Sequence, residues 1–356
     1  MSRFFSSKFA SLVPYTPGEQ PKERTYIKLN TNESPFAPSE QAIAAAAAAA
    51  ARLQLYPDPE ARELTAALAA QCGVSPDEVL LTNGSDEILN FAFMAFCDAE
   101  HPAVFPDITY GFYPVFARLN GVPYTEIPLR EDLSVDVDAF LGVGKTVFLA
   151  NPNAPSGLLL SRGEIERILA SNPDNVVVID EAYIDFGGES CIPLIGKYDN
   201  LLVTQTFSKS RSMAGARLGF GVGCRALMQD LNTIKYSTNP YNVNAMTMAA
   251  GLGMLRDEAR TRANCATVME NRAYVTRELR ALGFELTDSA ANFVFAKHPA
   301  VSGEEIYTAL RERGILVRHF KTPRIADYNR ITVGTRWEME QLVAALTAIL
   351  AERNYV

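Results

Sequence analysis

The chain has 356 residues, 48% of them hydrophobic, and a formal net charge of −8 at pH 7. This length exceeds what one hydrophobic core normally supports, so we expect two domains, and the acidic charge argues against nucleic acid as a partner. The five cysteines form no C-x-x-C pair and the three histidines are scattered, so the sequence predicts neither a disulfide framework nor a metal site.

The sequence contains no recognisable signal for a membrane or for export. No apolar run reaches the roughly 18 residues that a membrane span needs. The N-terminal residues Met-Ser-Arg-Phe-Phe lack the apolar core of a signal peptide. We therefore expect a cytoplasmic protein without a membrane partner.

An alanine-rich segment over 42–51 opens the main part of the chain. Alanine has the highest helix propensity, so this segment predicts a helix rather than disorder. Beyond it, apolar segments alternate with helical stretches, which is typical of a mainly parallel sheet covered by helices on both faces. The strands of this α/β sheet are expected near Val79, Ala103, Thr125, Val147, Val177, Leu202 and Phe220.

The pattern changes beyond about Asp257. A helix over 272–282 is expected there, followed by strands around Phe284, Phe293 and Val317, which together predict a smaller α+β domain. We therefore expect three parts: an N-terminal segment over 1–40 that packs with the small domain, a large domain over 41–256, and a small C-terminal domain over 257–356.

Several polar motifs follow predicted strands of the large sheet. Gly84-Ser85-Asp86 joins a strand to a helix start, where free backbone N–H groups suit a phosphate. Tyr110 can stack on an aromatic ring. The strand over 175–180 ends in Asp180, with Tyr183 three residues later. A carboxylate at that position can pair with a pyridine nitrogen, although an isolated acid there can also cap the next helix.

The segment over 206–219, T-F-S-K-S-R-S-M-A-G-A-R-L-G, is the most informative part of the chain. Taken alone, Ser208-Lys209 is a weak signal, because most lysines are solvated surface groups. Here the lysine amine can form a Schiff base, while the hydroxyls of Thr206 and Ser208 and the guanidinium of Arg217 can hold a phosphate. Pyridoxal 5'-phosphate needs that pairing, so the segment predicts a site for this cofactor.

Over nearly its whole length the chain resembles the fold-type I pyridoxal-phosphate aminotransferases, and within them the histidinol-phosphate aminotransferase family. The lysine segment is specific for the cofactor class, and further motifs point to the histidinol-phosphate group. These motifs are L-V-P-Y-T-P-G over 12–18, L-N-T-N-E-S-P over 29–35, Y-P-D over 56–58 and R-I-T-V-G-T-R over 330–336. The resemblance implies a homodimer whose large domain has a mainly parallel seven-stranded sheet.

The resemblance also implies roles for individual residues. Lys209 is the Schiff-base lysine, Asp180 pairs with the pyridinium, Tyr183 supports the phenolic oxygen and Tyr110 covers the ring. The phosphate is held by Gly84, Ser85, Asp86, Thr206, Ser208 and Arg217, and by Tyr56 of the neighbouring subunit. The substrate is held by Tyr15, Asn32, Arg318 and Arg330, and Lys321 and Arg324 add positive charge to the same region.

The chain departs from the family at one motif. The family often has N-P-N-N-P-T-G, whose second consecutive asparagine contacts the phenolic oxygen of the cofactor, whereas this chain has Ala154 there and Ser156 in place of the threonine. Either Asn153 takes over the contact or Tyr183 carries it alone. We expect Asn153 to do so.

The implied reaction is transamination between L-histidinol phosphate and 2-oxoglutarate, which gives imidazole-acetol phosphate and L-glutamate in histidine biosynthesis. Two readings within the same family stay open at this stage, an aromatic amino-acid aminotransferase and a threonine-phosphate decarboxylase. A more distant alternative is a non-catalytic member of the fold that binds a ligand as a regulator.

Overall fold

The computed structural model of the protein describes residues 2–10 and 12–353, over which the chain forms 13 strands and ten α-helices. The strands are Ile27–Lys28 (β1), Val79–Thr82 (β2), Ala103–Pro106 (β3), Tyr124–Ile127 (β4), Thr146–Ala150 (β5), Val177–Asp180 (β6), Leu201–Thr206 (β7), Gly219–Gly223 (β8), Glu285–Leu286 (β9), Phe293–Lys297 (β10), Ile315–Leu316 (β11), Arg318–His319 (β12) and Asn329–Thr332 (β13). The helices are Glu40–Ala50 (α1), Arg62–Cys72 (α2), Ser85–Phe96 (α3), Tyr113–Asn120 (α4), Arg162–Ser171 (α5), Arg225–Thr238 (α6), Ala245–Arg256 (α7), Glu258–Ala281 (α8), Gly303–Glu312 (α9) and Arg336–Ala351 (α10).

The central sheet has seven strands in the order β2-β8-β7-β6-β5-β3-β4. β8 runs antiparallel to β2 and β7, and the other neighbouring strands are parallel. The expected mainly parallel seven-stranded sheet is therefore confirmed, with a strand at each of the seven predicted positions.

Both faces of this sheet are covered by helices, which explains the nearly continuous apolar runs of its strands. On β5, Val147 and Leu149 pack into a core that includes residues of α2, α5 and α7. Phe148, which points the other way, packs into a second core with residues of α3, α4 and α6. The alternation of side chains along a strand therefore supplies both cores from one short segment.

The parallel strands of the sheet deliver the predicted polar motifs to one edge. β6 ends at Asp180, and β7 ends at Thr206, just before Lys209. β8 runs in the opposite direction, so its beginning, which follows Arg217, lies at the same edge. Ligands of open α/β sheets bind at such an edge.

A third apolar core lies among α8, α9, α10 and the four-stranded antiparallel sheet β12-β13-β10-β9. The N-terminal segment joins this part, because β1 pairs in parallel with β11. The helix expected over 272–282 begins earlier in the structure, at Glu258. The sequence did not predict this start, because the buried face of the helix includes the polar residues Thr261 and Asn271, which interrupt the apolar period. The domain boundaries at 40/41 and 256/257 stay a prediction.

None of the helices within the described ranges is long and apolar enough to cross a membrane.

The alanine-rich helix α1 packs closely against α7. At Gly253 a Cβ atom would lie 2.6 Å from the Cα of Ala42 and 2.8 Å from the carbonyl oxygen of Gln41. These neighbours are backbone atoms, which cannot turn away as a flexible side chain would. The small side chains of α1 and the glycine of α7 together permit this approach.

We expect Gly253→Ala to push α1 and α7 apart and to lower the free energy of unfolding by about 1–3 kcal/mol. Gly163→Ala is the matched control, because a Cβ at Gly163, in α5, would have no heavy atom within 4 Å. The control should leave the stability unchanged or raise it by up to about 1 kcal/mol. Urea denaturation of both variants tests this, and equal midpoints for the two would contradict it.

Candidate active site

A cavity opens at the edge of the central sheet where the polar motifs meet. Its wall combines one lysine, one arginine, two carboxylates, hydroxyl groups and two tyrosine rings. The lining residues are Ser85, Asp86, Tyr110, Ala150, Ala154, Asp180, Ala182, Tyr183, Thr206, Ser208, Lys209 and Arg217. The fold thus brings together most of the side chains that the sequence assigned to the cofactor.

Lys209 lies in the loop after β7, with its amine facing this cavity. Nζ donates a hydrogen bond to the carbonyl oxygen of Thr31 at 3.2 Å and lies 5.8 Å from the centroid of the Tyr183 ring. Burial, with a further contribution from the charge of Arg330, lowers the pKa of Lys209 to about 8. A substantial fraction of the amine is therefore unprotonated, and hence nucleophilic, just above neutral pH.

The loop that carries Lys209 is held by Asp185, which follows Tyr183 closely in the chain. The Asp185 carboxylate accepts hydrogen bonds from the hydroxyl of Ser210 and, at 3.2 Å, from Nη1 of Arg211. Arg211 is only 5% exposed, whereas the Asp185 side chain is 35% exposed, so the pair places a buried guanidinium against a carboxylate at the surface. The two contacts fix the backbone immediately after Lys209.

Asp180 is buried at the end of β6, and its carboxylate is held by two donors. The backbone N–H of Ala182 lies 3.2 Å from Oδ1, and the hydroxyl of Tyr113 lies 3.3 Å from Oδ2. Within the described part of the chain Asp180 forms no ion pair, and burial together with the negative charge of Asp86 raises the pKa of its carboxyl to about 7. A cation beside this carboxylate would lower the pKa again, and a protonated pyridine is such a cation.

The opposite end of the cavity suits a phosphate. Helix α3 begins at Ser85 after Gly84, whose φ of 80° lies in the region that favours glycine. The backbone N–H groups at a helix start attract anions. The hydroxyls of Thr206 and Ser208 lie 3.0 Å apart, and Nη1 of Arg217 lies 3.4 Å from the Ser208 oxygen.

Asp86 connects this end of the cavity to the aromatic wall. Its carboxylate accepts a hydrogen bond from the hydroxyl of Tyr110 at 2.6 Å and forms an ion pair with Arg217 at 3.1 Å. Donors for a phosphate, a carboxylate without a cation, an amine and an aromatic face are thus present in one cavity. This set of groups fits pyridoxal 5'-phosphate.

Asn153 does not line the cavity, unlike its neighbour Ala154 and Tyr183. The Asn153 amide donates to the Ile108 carbonyl and the Ser156 hydroxyl, both at 3.1 Å, and accepts from the Thr109 hydroxyl at 2.8 Å. Ala154 lines the cavity and Asn153 does not. The cofactor contact expected of Asn153 stays a prediction, and its amide already has three protein partners.

A second cavity adjoins the first and shares Tyr110, Ala154, Tyr183 and Lys209 with it. It also contains the four residues that the sequence assigned to the substrate, namely Tyr15, Asn32, Arg318 and Arg330. The Asn32 amide donates to the Tyr183 hydroxyl at 3.0 Å, and Tyr15 stacks on Phe112 with ring centroids 4.3 Å apart.

The two arginines of the second cavity have few partners. Nη2 of Arg330 donates to the Asn30 carbonyl at 3.3 Å, while its Nε is buried with no hydrogen-bond partner within the described chain. Arg318 donates only to backbone carbonyls, those of Thr16 at 3.2 Å and Pro17 at 3.4 Å. Since neither guanidinium forms an ion pair with a described carboxylate, both charges are available to an anionic ligand.

Arg324 differs from these two arginines. It forms an ion pair with Asp107 at 2.8 Å and donates to the carbonyls of Leu129 and Arg130. Its positive charge is therefore already paired with a carboxylate of the protein. Lys321 does not line the second cavity.

Tyr56 is not brought to the cavity of its own chain. Its side chain is 83% exposed and stacks on Tyr241, with ring centroids 4.6 Å apart. Its phosphate contact across a subunit boundary stays a prediction.

Three residues that hold the site together had no separate signal in the sequence. Tyr113, Asp185 and Thr332 contact Asp180, the lysine loop and Asn32 respectively. Each lies within a few residues of a recognised motif, but only the fold shows which partner it meets.

Comparisons with known proteins show the family to which the chain belongs. The model of the family described as "Aminotransferase class I and II" matches residues 24–346. "Histidinol-phosphate aminotransferase 1" of Bradyrhizobium diazoefficiens is 47% identical over 350 residues, covering 98% of this chain and 100% of that protein. "Histidinol-phosphate aminotransferase 2" of Dechloromonas aromatica is 50% identical over 354 residues, covering 98% and 99% of the two chains.

The fold is likewise similar to that of a solved structure. The histidinol-phosphate aminotransferase of Sinorhizobium meliloti, crystallised in complex with pyridoxal-5'-phosphate, superposes with a TM-score of 0.90 over 99% of both chains at 24% identity. That likeness shows the fold, and the family match together with the two relatives shows the descent. The chain therefore belongs to the class I and II aminotransferases, which are enzymes that depend on pyridoxal 5'-phosphate.

Proposed function

We propose that this protein transfers an amino group between L-histidinol phosphate and 2-oxoglutarate, giving imidazole-acetol phosphate and L-glutamate. The observation that carries the proposal is the pair of arginines, Arg318 and Arg330, that line one cavity with Lys209 and form no ion pair with a carboxylate of residues 2–10 or 12–353. The relatives named histidinol-phosphate aminotransferase support the same substrate.

We propose that the first cavity holds pyridoxal 5'-phosphate. Its phosphate would bind the N-terminus of α3, at Gly84, Ser85 and Asp86, together with Thr206, Ser208 and Arg217, and Tyr56 would reach it from the partner subunit. Tyr110 would cover the face of the ring. Asp180 would pair with the ring nitrogen, and Tyr183 would donate a hydrogen bond to the phenolic oxygen. Tyr183 is preferred over Asn153 for the last contact because the Asn153 amide is engaged with Ile108, Thr109 and Ser156.

When bound, pyridoxal phosphate supplies an aldehyde that condenses with amines and a protonated ring that accepts the electron pair of the neighbouring carbon. Asp180 keeps a proton on the ring nitrogen, because its buried carboxylate has no other cation to stabilise it. Tyr113 holds the carboxylate in place through Oδ2.

Lys209 acts twice in this mechanism. Its amine is the group that would hold the aldehyde of bound pyridoxal phosphate. When free, the same amine would accept the proton of the substrate Cα and pass it to the cofactor, and its pKa of about 8 suits a base that must exchange protons near neutral pH. The contacts of Asp185 with the residues after Lys209 limit how far the amine can drift from the reacting carbon.

The second cavity must accept two kinds of anion. Arg330 would bind the carboxylate of glutamate or 2-oxoglutarate and, together with Arg318, the phosphate of histidinol phosphate. Arg318 would also bind the second carboxylate of glutamate. A guanidinium can hold either anion with two parallel hydrogen bonds. Tyr15 and Asn32 complete the wall of this substrate site.

Assembly and domain organisation are part of the proposal. A homodimer follows from assigning Tyr56 to the partner's site, because Tyr56 is exposed and does not line its own cavity. The division into 1–40, 41–256 and 257–356 would let the N-terminal segment carry Tyr15 and Asn32 to the substrate site. The cytoplasmic location, and the absence of nucleic-acid and membrane partners, stay predictions from the composition.

Asp180→Asn should stabilise the cofactor-free protein while it abolishes activity. The pKa of the Asp180 carboxyl rises from 3.8 to about 7 on folding, so the cost of its buried charge is absent below the first value and complete above the second. We expect the cofactor-free variant to melt at a higher temperature than the parent at about pH 8, and the difference to shrink at about pH 5. Its kcat should fall by at least about 100-fold.

The exposed Asp138, which pairs with Arg167, supplies the control for the Asp180 experiment. Asp138→Asn should change neither the melting temperature at either pH nor the activity appreciably. Identical melting of the parent and Asp180→Asn at about pH 8 would argue against a buried, uncompensated carboxylate.

Arg318→Ala should lower kcat/KM for histidinol phosphate by at least about tenfold and spare phenylalanine, because only the phosphorylated amine loses a charge-assisted contact. Arg330→Ala should impair the donor and 2-oxoglutarate alike. Lys321→Ala is the control, since Lys321 lies in the loop between β12 and β13, which carry the two arginines, but outside the cavity. Steady-state rates of the parent and the variants with histidinol phosphate, phenylalanine and threonine phosphate measure these changes in kcat/KM.

A parent enzyme that prefers phenylalanine, or that releases carbon dioxide from threonine phosphate, would contradict the proposed substrate.

We expect a dimer with two active sites, each of which needs residues from both chains for full activity. Sedimentation should give about twice the chain mass of 39.0 kDa. Lys209→Ala protein and Tyr56→Ala protein should each be impaired at limiting cofactor, whereas a mixture exchanged into heterodimers should regain activity, because one of its two sites is intact. A fully active monomer, or a mixture no better than the mean of its components, would refute the shared site.

A further inference from the structure

The Tyr183 hydroxyl has a donor beside it but no acceptor. It accepts a hydrogen bond from Nδ2 of Asn32 at 3.0 Å. Within residues 2–10 and 12–353 no protein group accepts its proton, and its ring lines the cavity that contains Lys209. Since a hydroxyl rotates to suit its partners, the proton is free to point at an acceptor inside the cavity.

This direction depends on which end of the Asn32 amide faces Tyr183. The two ends of a carboxamide have nearly the same shape, and a half-turn exchanges the donor for the acceptor. With the oxygen facing Tyr183, the phenol would donate its proton to Asn32 and have none for the cavity. Something must therefore hold the amide in one of its two orientations.

Thr332 supplies that constraint. Its hydroxyl donates to Oδ1 of Asn32 at 3.2 Å and accepts from the backbone N–H of the same residue at 2.9 Å. The N–H can only donate, so the hydroxyl proton still needs an acceptor, and Oδ1 is the one beside it. With the amide reversed, this buried proton would face an NH₂ group and lose its acceptor, which favours oxygen on the side of Thr332 and nitrogen on the side of Tyr183.

The support under this contact is rigid and buried. Asn32 is 1% exposed, with a φ of 54°, and Asn292 donates to its carbonyl at 3.0 Å. Thr332 is 3% exposed and ends β13, which pairs with β10 at Phe293. The backbone positions of Asn32 and Thr332 are therefore held by the small sheet, and the need of the Thr332 hydroxyl proton for an acceptor favours one orientation of the amide.

We propose that Thr332 is a positioning residue for the cofactor: through the amide of Asn32 it directs the Tyr183 proton to the phenolic oxygen of pyridoxal phosphate. The inference rests on the proposed contact of Tyr183 with that oxygen. It also explains how the chain does without an asparagine at position 154, because a correctly directed phenol alone supplies a donor there.

The test compares Thr332→Val, which has nearly the same shape but no hydroxyl, with Thr332→Ser, which keeps the hydroxyl. The readout is the pH midpoint of the absorbance change of the bound cofactor, together with the Kd of cofactor-free protein for pyridoxal phosphate. A donor favours the more negative form of its acceptor, so losing it should raise the midpoint by about half to one pH unit. The Kd should rise about 2- to 10-fold.

Tyr183→Phe should shift the midpoint in the same direction as Thr332→Val, and the double variant should shift it no further than Tyr183→Phe alone. Thr332→Ser should behave as the parent. If the valine variant does not fold, Thr332→Ala removes the same hydroxyl and replaces it in the comparison.

The possible failures are distinguishable. A shift in Tyr183→Phe with none in Thr332→Val, or shifts that add in the double variant, would overturn the role of Thr332 and leave the proposed function standing. A midpoint unchanged in Tyr183→Phe would overturn the phenolic contact and with it this inference. A parent protein that forms no absorbance band with pyridoxal phosphate would overturn the proposed function as well.

Discussion

The carboxylate of Asp180, buried at the end of a parallel strand without a cation beside it, is the constraint on which the rest of the site depends. A buried charge of this kind is costly, and here only two hydrogen-bond donors, from Ala182 and Tyr113, offset the cost. The protein thus gives up stability in its cofactor-free form. In the function proposed above, a cationic ring nitrogen beside Asp180 would offset this cost, so the feature that destabilises the empty site would favour binding of the cofactor.

The order of the strands brings the polar groups of the site together at one edge of the sheet. β6 and β7 are adjacent and parallel, so Asp180 and the Lys209 loop lie at the same edge of the sheet. The antiparallel β8 returns to that edge and begins just after Arg217. Groups far apart along the chain therefore surround one cavity, and their backbone positions are held by the sheet rather than by the ligand.

The second half of the site belongs to the small sheet and the N-terminal segment. Arg330 and Thr332 lie on β13, and Arg318 pairs with Arg330 in the neighbouring β12. Asn32 and Tyr183 connect this sheet to the cofactor cavity through one hydrogen bond. A shift between the two sheets would therefore move Arg318 and Arg330 and alter the contact of Asn32 with Tyr183 at the same time.

Much of this could be predicted from the sequence. All seven strands of the large sheet were placed by apolar runs, because a strand buried on both faces needs a continuous apolar segment wherever it occurs. Lys209, Asp180 and Arg217, which were predicted from their positions near strand ends, line one cavity, and their roles toward the cofactor stay predictions. The start of α8 was missed, since buried Thr261 and Asn271 interrupt the apolar period.

The sequence by itself determined which residue types are available and which strand each motif follows. Only the tertiary structure decided which side chains meet. It gave the Asn153 amide three partners that do not line the first cavity, paired Arg324 with Asp107, and placed Thr332 against Asn32, which is 300 residues away in the chain. The physical reason is that a hydrogen bond depends on distance and direction at a single atom, and these follow from how the two sheets pack, not from any local pattern.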